Sequence, residues 1–113
     1  AGINFGDQPA EVANILIDLA QRETKNLSVK FANLVVDNAR GKTRLLDRTH
    51  RFAGFRVLKA PDVPSVLIEL GFLTNRSDEQ QLLTASWRRK VAGALVKSVD
   101  GFFRSSRVAA LRQ

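Results

Sequence analysis

The sequence predicts an α/β fold in which helices pack against a small number of strands. Apolar residues recur at helical spacing over residues 9–40 and again after residue 77. Between these segments lie two short apolar runs that are typical of strands, 55–58 and 65–72. The order helix, strand, strand, helix, helix corresponds to a layered α/β architecture. Because two strands are too few for a stable independent sheet, we expect these residues to be one part of a larger α/β domain.

The N-terminal part predicts helix after an irregular lead-in at residues 1–8. Pro9 suits the first turn of a helix, and Gly41 suits its end. The polar residues 21–26 interrupt the apolar stripe, which then resumes in a different phase. The pattern fits either one long helix with a polar waist or two helices that are broken near Asn26, and we favour two helices or one bent helix because of the change in phase. The apolar positions of the stripe are Val12, Ile15, Leu16, Leu19, Leu27, Phe31, Leu34 and Val35.

The middle of the chain predicts the two strands. The first covers residues 55–58 and ends before Pro61, and Pro61 and Pro64 bracket a turn. The second covers residues 65–72 and is apolar on both faces. This pattern is typical of a central strand that is covered on both sides.

The C-terminal part predicts two helices. Residues 77–80 read Ser-Asp-Glu-Gln, which matches a capping box and predicts a short helix through Leu83. Thr84 or Ser86 can cap the next helix, which is amphipathic and docks on a core. Its apolar face consists of Trp87, Val91, Leu95 and Phe102, with Val99 beside them. The last residues, 105–113, predict a fraying basic tail.

Composition excludes several kinds of site. The chain has no cysteine, which excludes disulfides, thiolate zinc sites and a cysteine nucleophile. His50 is the only histidine, and a metal site typically needs about three protein ligands, so we interpret it as a surface residue. The sequence contains neither a GxSxG serine motif nor a glycine-rich phosphate loop. No apolar run approaches the roughly 20 residues that span a bilayer.

The chain is strongly basic, with 18 Lys and Arg against 11 Asp and Glu and a net charge of +7. Much of this excess lies in residues 40–59, where Asp47 is the only acidic residue. A basic stretch attracts polyanions such as nucleic acid, anionic lipid or an acidic cell-wall polymer, but it can equally be a solvated loop. Its basic residues are Arg40, Lys42, Arg44, Arg48, Arg51, Arg56 and Lys59.

Glu69 is the strongest candidate for a catalytic residue. It is the one carboxylate in an otherwise apolar run, and burial of an unpaired carboxylate costs several kcal/mol. Such a group usually has a ligand to bind or a proton to move. In strand geometry Leu67, Glu69 and Gly71 share a face, and Gly71 leaves room beside the carboxylate. The alternative is a structural glutamate that is paired with an arginine.

Several stretches resemble a known family. Residues 55–75 read FRVLKAPDVPSVLIELGFLTN and resemble the C-terminal signature of the zinc-dependent N-acetylmuramoyl-L-alanine amidases that separate daughter cells. Residues 77–83, SDEQQLL, also fit the end of that family's domain. Residues 11–24, EVANILIDLAQRET, resemble the helical stretch before the signature. The resemblance is strong over 53–104 and weaker over 9–40.

The resemblance implies a domain with a mostly parallel sheet and helices on both faces. Residues 1–113 would be its helix-rich C-terminal portion, divided into 1–8, 9–40, 55–75 and 77–104. The family hydrolyses the amide between N-acetylmuramic acid and L-alanine in peptidoglycan. It uses one zinc ion, held by two histidines and a glutamate, and a second glutamate that acts with the zinc-bound water.

Glu69 matches the second glutamate. The family's zinc ligands lie upstream of the segment that resembles this chain, so we assign no metal ligand here and expect the chain to be inactive alone.

The resemblance further implies a periplasmic location and regulation. In some division amidases a helix plugs the zinc site until an activator with a LytM-type domain removes it, and residues 1–26 resemble the edge of that region. Glu11 is therefore a candidate regulatory ligand of the metal, although core packing also explains the helix. The alternative from another class is a small, non-catalytic basic module that binds nucleic acid or a protein. Against nucleic acid, the aromatic residues are not interleaved with the charges.

Overall fold

The structure is a computed structural model that describes residues 9–44 and 62–111. These residues form three helices, α1 (Ala10–Ala39), α2 (Arg76–Leu83) and α3 (Ala85–Leu111). The predicted lead-in at 1–8, the predicted strand at 55–58, His50 and most of the basic stretch lie outside the described residues. None of the described helices is long and apolar enough to cross a membrane.

Helix α1 is continuous over 30 residues, so the favoured break near Asn26 is wrong and the alternative of a single helix is correct. The polar residues 21–26 include Gln, Arg, Glu and Lys, which are good helix formers even where they bury no apolar surface. Asp18 and Arg22 form an ion pair of 3.1 Å one turn apart at the edge of this stretch. The predicted end is correct, because Gly41 follows the helix with a positive φ of 79°.

Helices α1 and α3 pack side by side in antiparallel directions. Asn38 donates a hydrogen bond to Ser98 at 3.0 Å, and Lys30 donates one to Ser105 at 2.7 Å, so ascending positions of α1 meet descending positions of α3. Between these contacts the rings of Phe31 and Phe102 meet edge to face, with centroids 5.5 Å apart.

The predicted apolar face of α3 is correct except at Val99. Trp87, Val91, Leu95 and Phe102 are half-buried, whereas Val99 is 44% exposed. The basic residues at positions 88–90, 97 and 104 are exposed. The indole of Trp87 also donates to the hydroxyl of Thr43 at 3.1 Å, which ties the start of α3 to the turn after α1.

The predicted tail at 105–113 is wrong, because α3 continues to Leu111. Residues 105–111 contain neither glycine nor proline, so nothing in the sequence stops the helix. The contact between Lys30 and Ser105 adds support from α1.

The predicted sheet is also absent from the described residues, which contain no strand and only an isolated bridge between Arg40 and Thr43. The expectation of a mostly parallel sheet with helices on both faces is therefore wrong for this structure. A strand is defined by hydrogen bonds to a neighbouring strand. The described part of residues 55–75 offers the segment at 65–72 no such neighbour.

Candidate functional site

The segment at residues 62–75 leads from α1 to α2 and carries Glu69 at its middle. Its first anchor is on α1, where the backbone N–H of Ser65 donates to the hydroxyl of Ser28 at 2.9 Å. That hydroxyl in turn donates to the carbonyl of Thr24 at 3.0 Å, so its orientation is fixed by the helix. The start of the segment is thereby held against the second half of α1.

The second anchor is Asp78, in the first turn of α2. Its carboxylate accepts the backbone N–H of Phe72 at 3.0 Å and a guanidinium N–H of Arg44 at 3.2 Å. The backbone N–H of Asp78 donates to the side chain of Asn75 at 3.0 Å, and the N–H of Asn75 donates to the carbonyl of Phe72 at 3.1 Å. The segment therefore ends in a hydrogen-bonded turn that leads directly into α2.

The cap of α2 differs from the predicted one. Asn75 is the N-cap, and its side chain accepts from the N–H of Asp78. The sequence pattern predicts a capping box that begins at Ser77, two residues later. The helix itself was predicted correctly through Leu83, and Thr84 follows it as expected, directly before α3.

Glu69 is exposed to solvent, so the expectation of a buried carboxylate is wrong in this structure. Its apolar neighbours are also open, with Leu67 67% and Leu70 47% exposed. The apolar run predicted a strand that is covered on both faces, and the described residues supply no layer on either face. Within this part of the chain Glu69 makes no hydrogen bond or ion pair, and so the alternative of a structural pairing with an arginine is not supported there.

Gly71 lies against Asp78. A Cβ at position 71 would come within 3.2 Å of the Cβ of Asp78, which is closer than ordinary side-chain contacts. The sequence predicted that Gly71 leaves space for a ligand or a backbone, and the space is used by an aspartate side chain. Asp78 and Ser28 are the two residues of the site that sequence reasoning missed. Asp78 could have been found from the sequence, because Asn75 and Asp78 are three residues apart, the spacing of an N-cap residue and the residue that it caps.

Glu11 and Glu69 do not form a common site. Glu11 is exposed in the first turn of α1, and Ser28, where the Glu69 segment is anchored, lies about 25 Å further along the helix at ~1.5 Å per residue. Nor do the described residues contain any group of three or more His, Cys, Asp or Glu that could hold a metal ion. The residues described here therefore do not fit a zinc site of their own.

Apolar side chains next to Glu69 in the chain are exposed to solvent. Within and beside the segment, large side chains that elsewhere form cores are open to solvent, and α1 exposes a second apolar group in its first half. The exposed residues of the segment are Val63, Leu67, Ile68, Leu70, Phe72 and Leu73. Those of α1 are Val12, Ile15, Leu16 and Leu19. Apolar patches of this kind usually mark an interaction surface.

Comparisons with known proteins give a consistent result. The family described as N-acetylmuramoyl-L-alanine amidase matches residues 6–101. The N-acetylmuramoyl-L-alanine amidase AmiA of Escherichia coli (strain K12) is 35% identical over 103 residues, which are 91% of this chain and 36% of AmiA. AmiC of Escherichia coli O6:H1 is 37% identical over 93 residues, 81% of this chain and 22% of AmiC.

A third relative, AmiC of Neisseria meningitidis serogroup B, is 34% identical over 95 residues, 84% of this chain and 23% of that protein. The chain thus spans about a third or less of the length of these relatives. No solved structure matches the chain significantly. Because the family match covers both the anchored Glu69 segment and the helices that hold it, the chain belongs to the N-acetylmuramoyl-L-alanine amidase family.

Proposed function

We propose that this chain is the C-terminal portion, residues 1–113, of a catalytic domain that hydrolyses peptidoglycan at the amide between N-acetylmuramic acid and L-alanine. The observation that supports this most directly is the family match over residues 6–101, which includes the whole Glu69 segment. The related proteins carry the name of this activity. The alternative of a non-catalytic basic module is not favoured by any of these relatives, and one described residue of the basic stretch, Arg44, is paired with Asp78.

Glu69 is proposed as the carboxylate that moves the proton. In amide hydrolysis the oxygen of water bonds to the carbonyl carbon, the C–N bond breaks, and a proton is delivered to the leaving nitrogen. A glutamate that is exposed, and that pairs with no arginine among residues 9–44 and 62–111, can take the proton from the water and give it to that nitrogen. The anchors at Ser65 and Phe72 keep the backbone on both sides of Glu69 in place.

Zinc belongs to the proposal only at the level of the whole domain. Since the described residues do not form a metal site, the histidines and glutamate that the family resemblance implies would be supplied by other parts of the domain. Activity in the periplasm, a role in cell division and activation by a partner with a LytM-type domain are further parts of this proposal. An inhibitory contact of Glu11 with the metal is also proposed, and it requires the intact domain to bring Glu11 closer to Glu69 than these described residues do.

The test is carried out on the full-length protein that contains these residues. Glu69→Gln removes the proton-accepting group and keeps its size, so hydrolysis of purified peptidoglycan is expected to fall by about 10²- to 10⁴-fold. Glu23→Gln, at an exposed glutamate of α1, is the matched control and keeps full activity. Mass spectrometry of the products must show peptides with a free N-terminal L-alanine. Full activity of Glu69→Gln, or products cut at another bond, contradicts the proposal.

A binding assay separates the two function classes. The amidase is expected to sediment with purified peptidoglycan, whereas a nucleic-acid-binding module would shift DNA with a steep dependence on salt. Strong, salt-dependent DNA binding without peptidoglycan hydrolysis would favour the alternative.

A further inference from the structure

Asp78 joins three separate parts of the chain through one carboxylate. One oxygen accepts the N–H of Phe72 at the end of the Glu69 segment, and the other pairs with Arg44 in the turn region after α1. The residue itself is in the first turn of α2. Its side chain is only 16% exposed, far less than the 67% of Arg44, so the carboxylate is largely enclosed by these partners.

The hydrogen bond to Phe72 is not a usual helix cap. An acidic residue at the third position of a helix commonly reaches back to the backbone N–H of the N-cap residue. Asp78 occupies that position, but it reaches past Asn75 to Phe72, while Asn75 caps α2 independently. The close approach of Gly71 and Asp78 is part of the same arrangement, because a side chain at position 71 would crowd the carboxylate.

We propose that Asp78 is a positioning residue for catalysis: by holding the backbone of Phe72 it fixes the direction in which Glu69 is presented. This inference rests on the proposed function of Glu69. Phe72 is three residues from Glu69, about 10 Å in extended chain, so a shift of the Phe72 backbone is passed on to the carboxylate. Catalytic groups must be held within about 0.5 Å of their productive position, and displacement by about 1 Å can reduce the rate 10²-fold.

The experiment compares four variants of the full-length protein. Asp78→Ala removes the acceptor for Phe72 and is expected to lower kcat about 10- to 100-fold with little change in KM. Asp78→Asn keeps an oxygen that can accept the N–H of Phe72 and is expected to restore kcat to within about threefold of the parent. Glu79→Gln, at the adjacent exposed residue, leaves kcat unchanged.

Asn75→Ala controls for loss of α2. It removes the cap of the same helix but leaves the carboxylate that accepts from Phe72. If positioning by Asp78 is correct, Asn75→Ala lowers the stability of the protein without the large loss of kcat seen in Asp78→Ala. Equal losses of kcat in the two variants would assign the effect to α2 as a whole and overturn the proposal. Failure of Asp78→Asn to restore kcat overturns it as well.

Hydrogen–deuterium exchange gives a readout that does not depend on activity. In Asp78→Ala the peptide that contains Phe72 is expected to exchange at least tenfold faster, whereas Glu69→Gln and Glu79→Gln leave its exchange unchanged. If Glu69→Gln loses activity but Asp78→Ala keeps the parental kcat, the positioning role of Asp78 is overturned and the proposed function of Glu69 stands. Full activity in Glu69→Gln overturns the proposed function, even where the exchange data confirm the hydrogen bond to Phe72.

Discussion

Ser98 shows how a small polar residue organises the contact between α1 and α3. It is fully buried, and Ala94, one turn earlier on the same face, is 1% exposed. Its hydroxyl donates to the carbonyl of Ala94 at 2.7 Å and accepts from the side chain of Asn38 at 3.0 Å. The described residues leave no buried side-chain polar atom without a partner. The small side chains at these two positions let the helices pack closely, and the hydrogen bonds remove the cost of burying the polar groups.

Ser98→Leu is predicted to destabilise the protein. A larger side chain at this enclosed position must push the helices apart and also leaves the amide of Asn38 without its acceptor, so we expect a loss of about 1–3 kcal/mol. Lys97→Leu, at the adjacent exposed position, is the control and is expected to change stability by less than about 0.5 kcal/mol. Urea unfolding monitored by circular dichroism measures both. Equal stability of the two variants would show that the contact is not closely packed.

At the level of elements, α2 depends on the residue that precedes it. The helix has eight residues and none of them is buried, so packing contributes little to its stability. Isolated helices of this length are unstable in water. The cap by Asn75, together with the bond from the guanidinium of Arg88 to the carbonyl of Leu82 at 2.8 Å, satisfies backbone groups at both ends.

Asn75→Ala is therefore predicted to destabilise α2 by about 1 kcal/mol, because it removes the side-chain acceptor of the cap. Asn75→Asp retains that acceptor and is expected to have no large effect. Ser77→Ala provides the decisive comparison, since the sequence pattern predicts Ser77 as the N-cap whereas the structure has Asn75 in that role. Urea unfolding of the three variants should order them with Asn75→Ala as the least stable. A larger effect of Ser77→Ala would show that the cap described for α2 is wrong.

The elements that could be predicted from sequence are those with local causes. The apolar face of α3 follows from helical spacing, and the end of α1 follows from the conformational freedom of Gly41. The continuity of α1 was among the alternatives but was not the favoured one, because the phase shift of the apolar stripe indicates a break whereas the helix propensity of residues 21–26 does not. Asp78 was missed because its partners, Phe72 and Arg44, are set by tertiary contacts rather than by spacing.

For the molecule as a whole, the prediction of a sheet failed for a non-local reason. Strand pairing requires a neighbouring strand, and no described residue supplies one for the segment at 65–72. Glu69 is exposed for the same reason. Its burial would require other elements to cover the segment at 65–72, and no described residue forms such a layer. The family was nevertheless identified correctly, since the signature at 55–75 depends on residue identity and not on the surroundings.

The exposed apolar residues of the segment at 62–75 predict that this 113-residue chain, studied by itself, binds hydrophobic dyes and associates. Leu67→Ser combined with Leu73→Ser is expected to lower dye fluorescence clearly, because these side chains are 67% and 79% exposed. Val96→Ser is the control, since Val96 is also 67% exposed but lies on α3 and not in the segment at 62–75. Dye titration and analytical ultracentrifugation measure the two effects. An equal response of the control would show that the apolar residues do not act as one surface.

The chain is also predicted to be inactive by itself, even with added zinc. The described residues include Glu69 but no group that could hold the metal on which the family resemblance depends. Release of soluble fragments from labelled peptidoglycan measures the activity, and the full-length protein serves as the positive control. Turnover by the isolated 113-residue chain would contradict this prediction.

The hydrogen bond between Ser65 and Ser28 restricts substitution at position 28 far more than at position 65. The donor is the main-chain amide of residue 65, so almost any amino acid there preserves the contact, and proline alone abolishes it by lacking the hydrogen. The acceptor is a side-chain hydroxyl, and this restricts position 28 to residues with an acceptor at the same short reach, of which serine and threonine fit best. A saturation library is therefore expected to accept wide variation at position 65 and very little at position 28, although both residues serve the same bond.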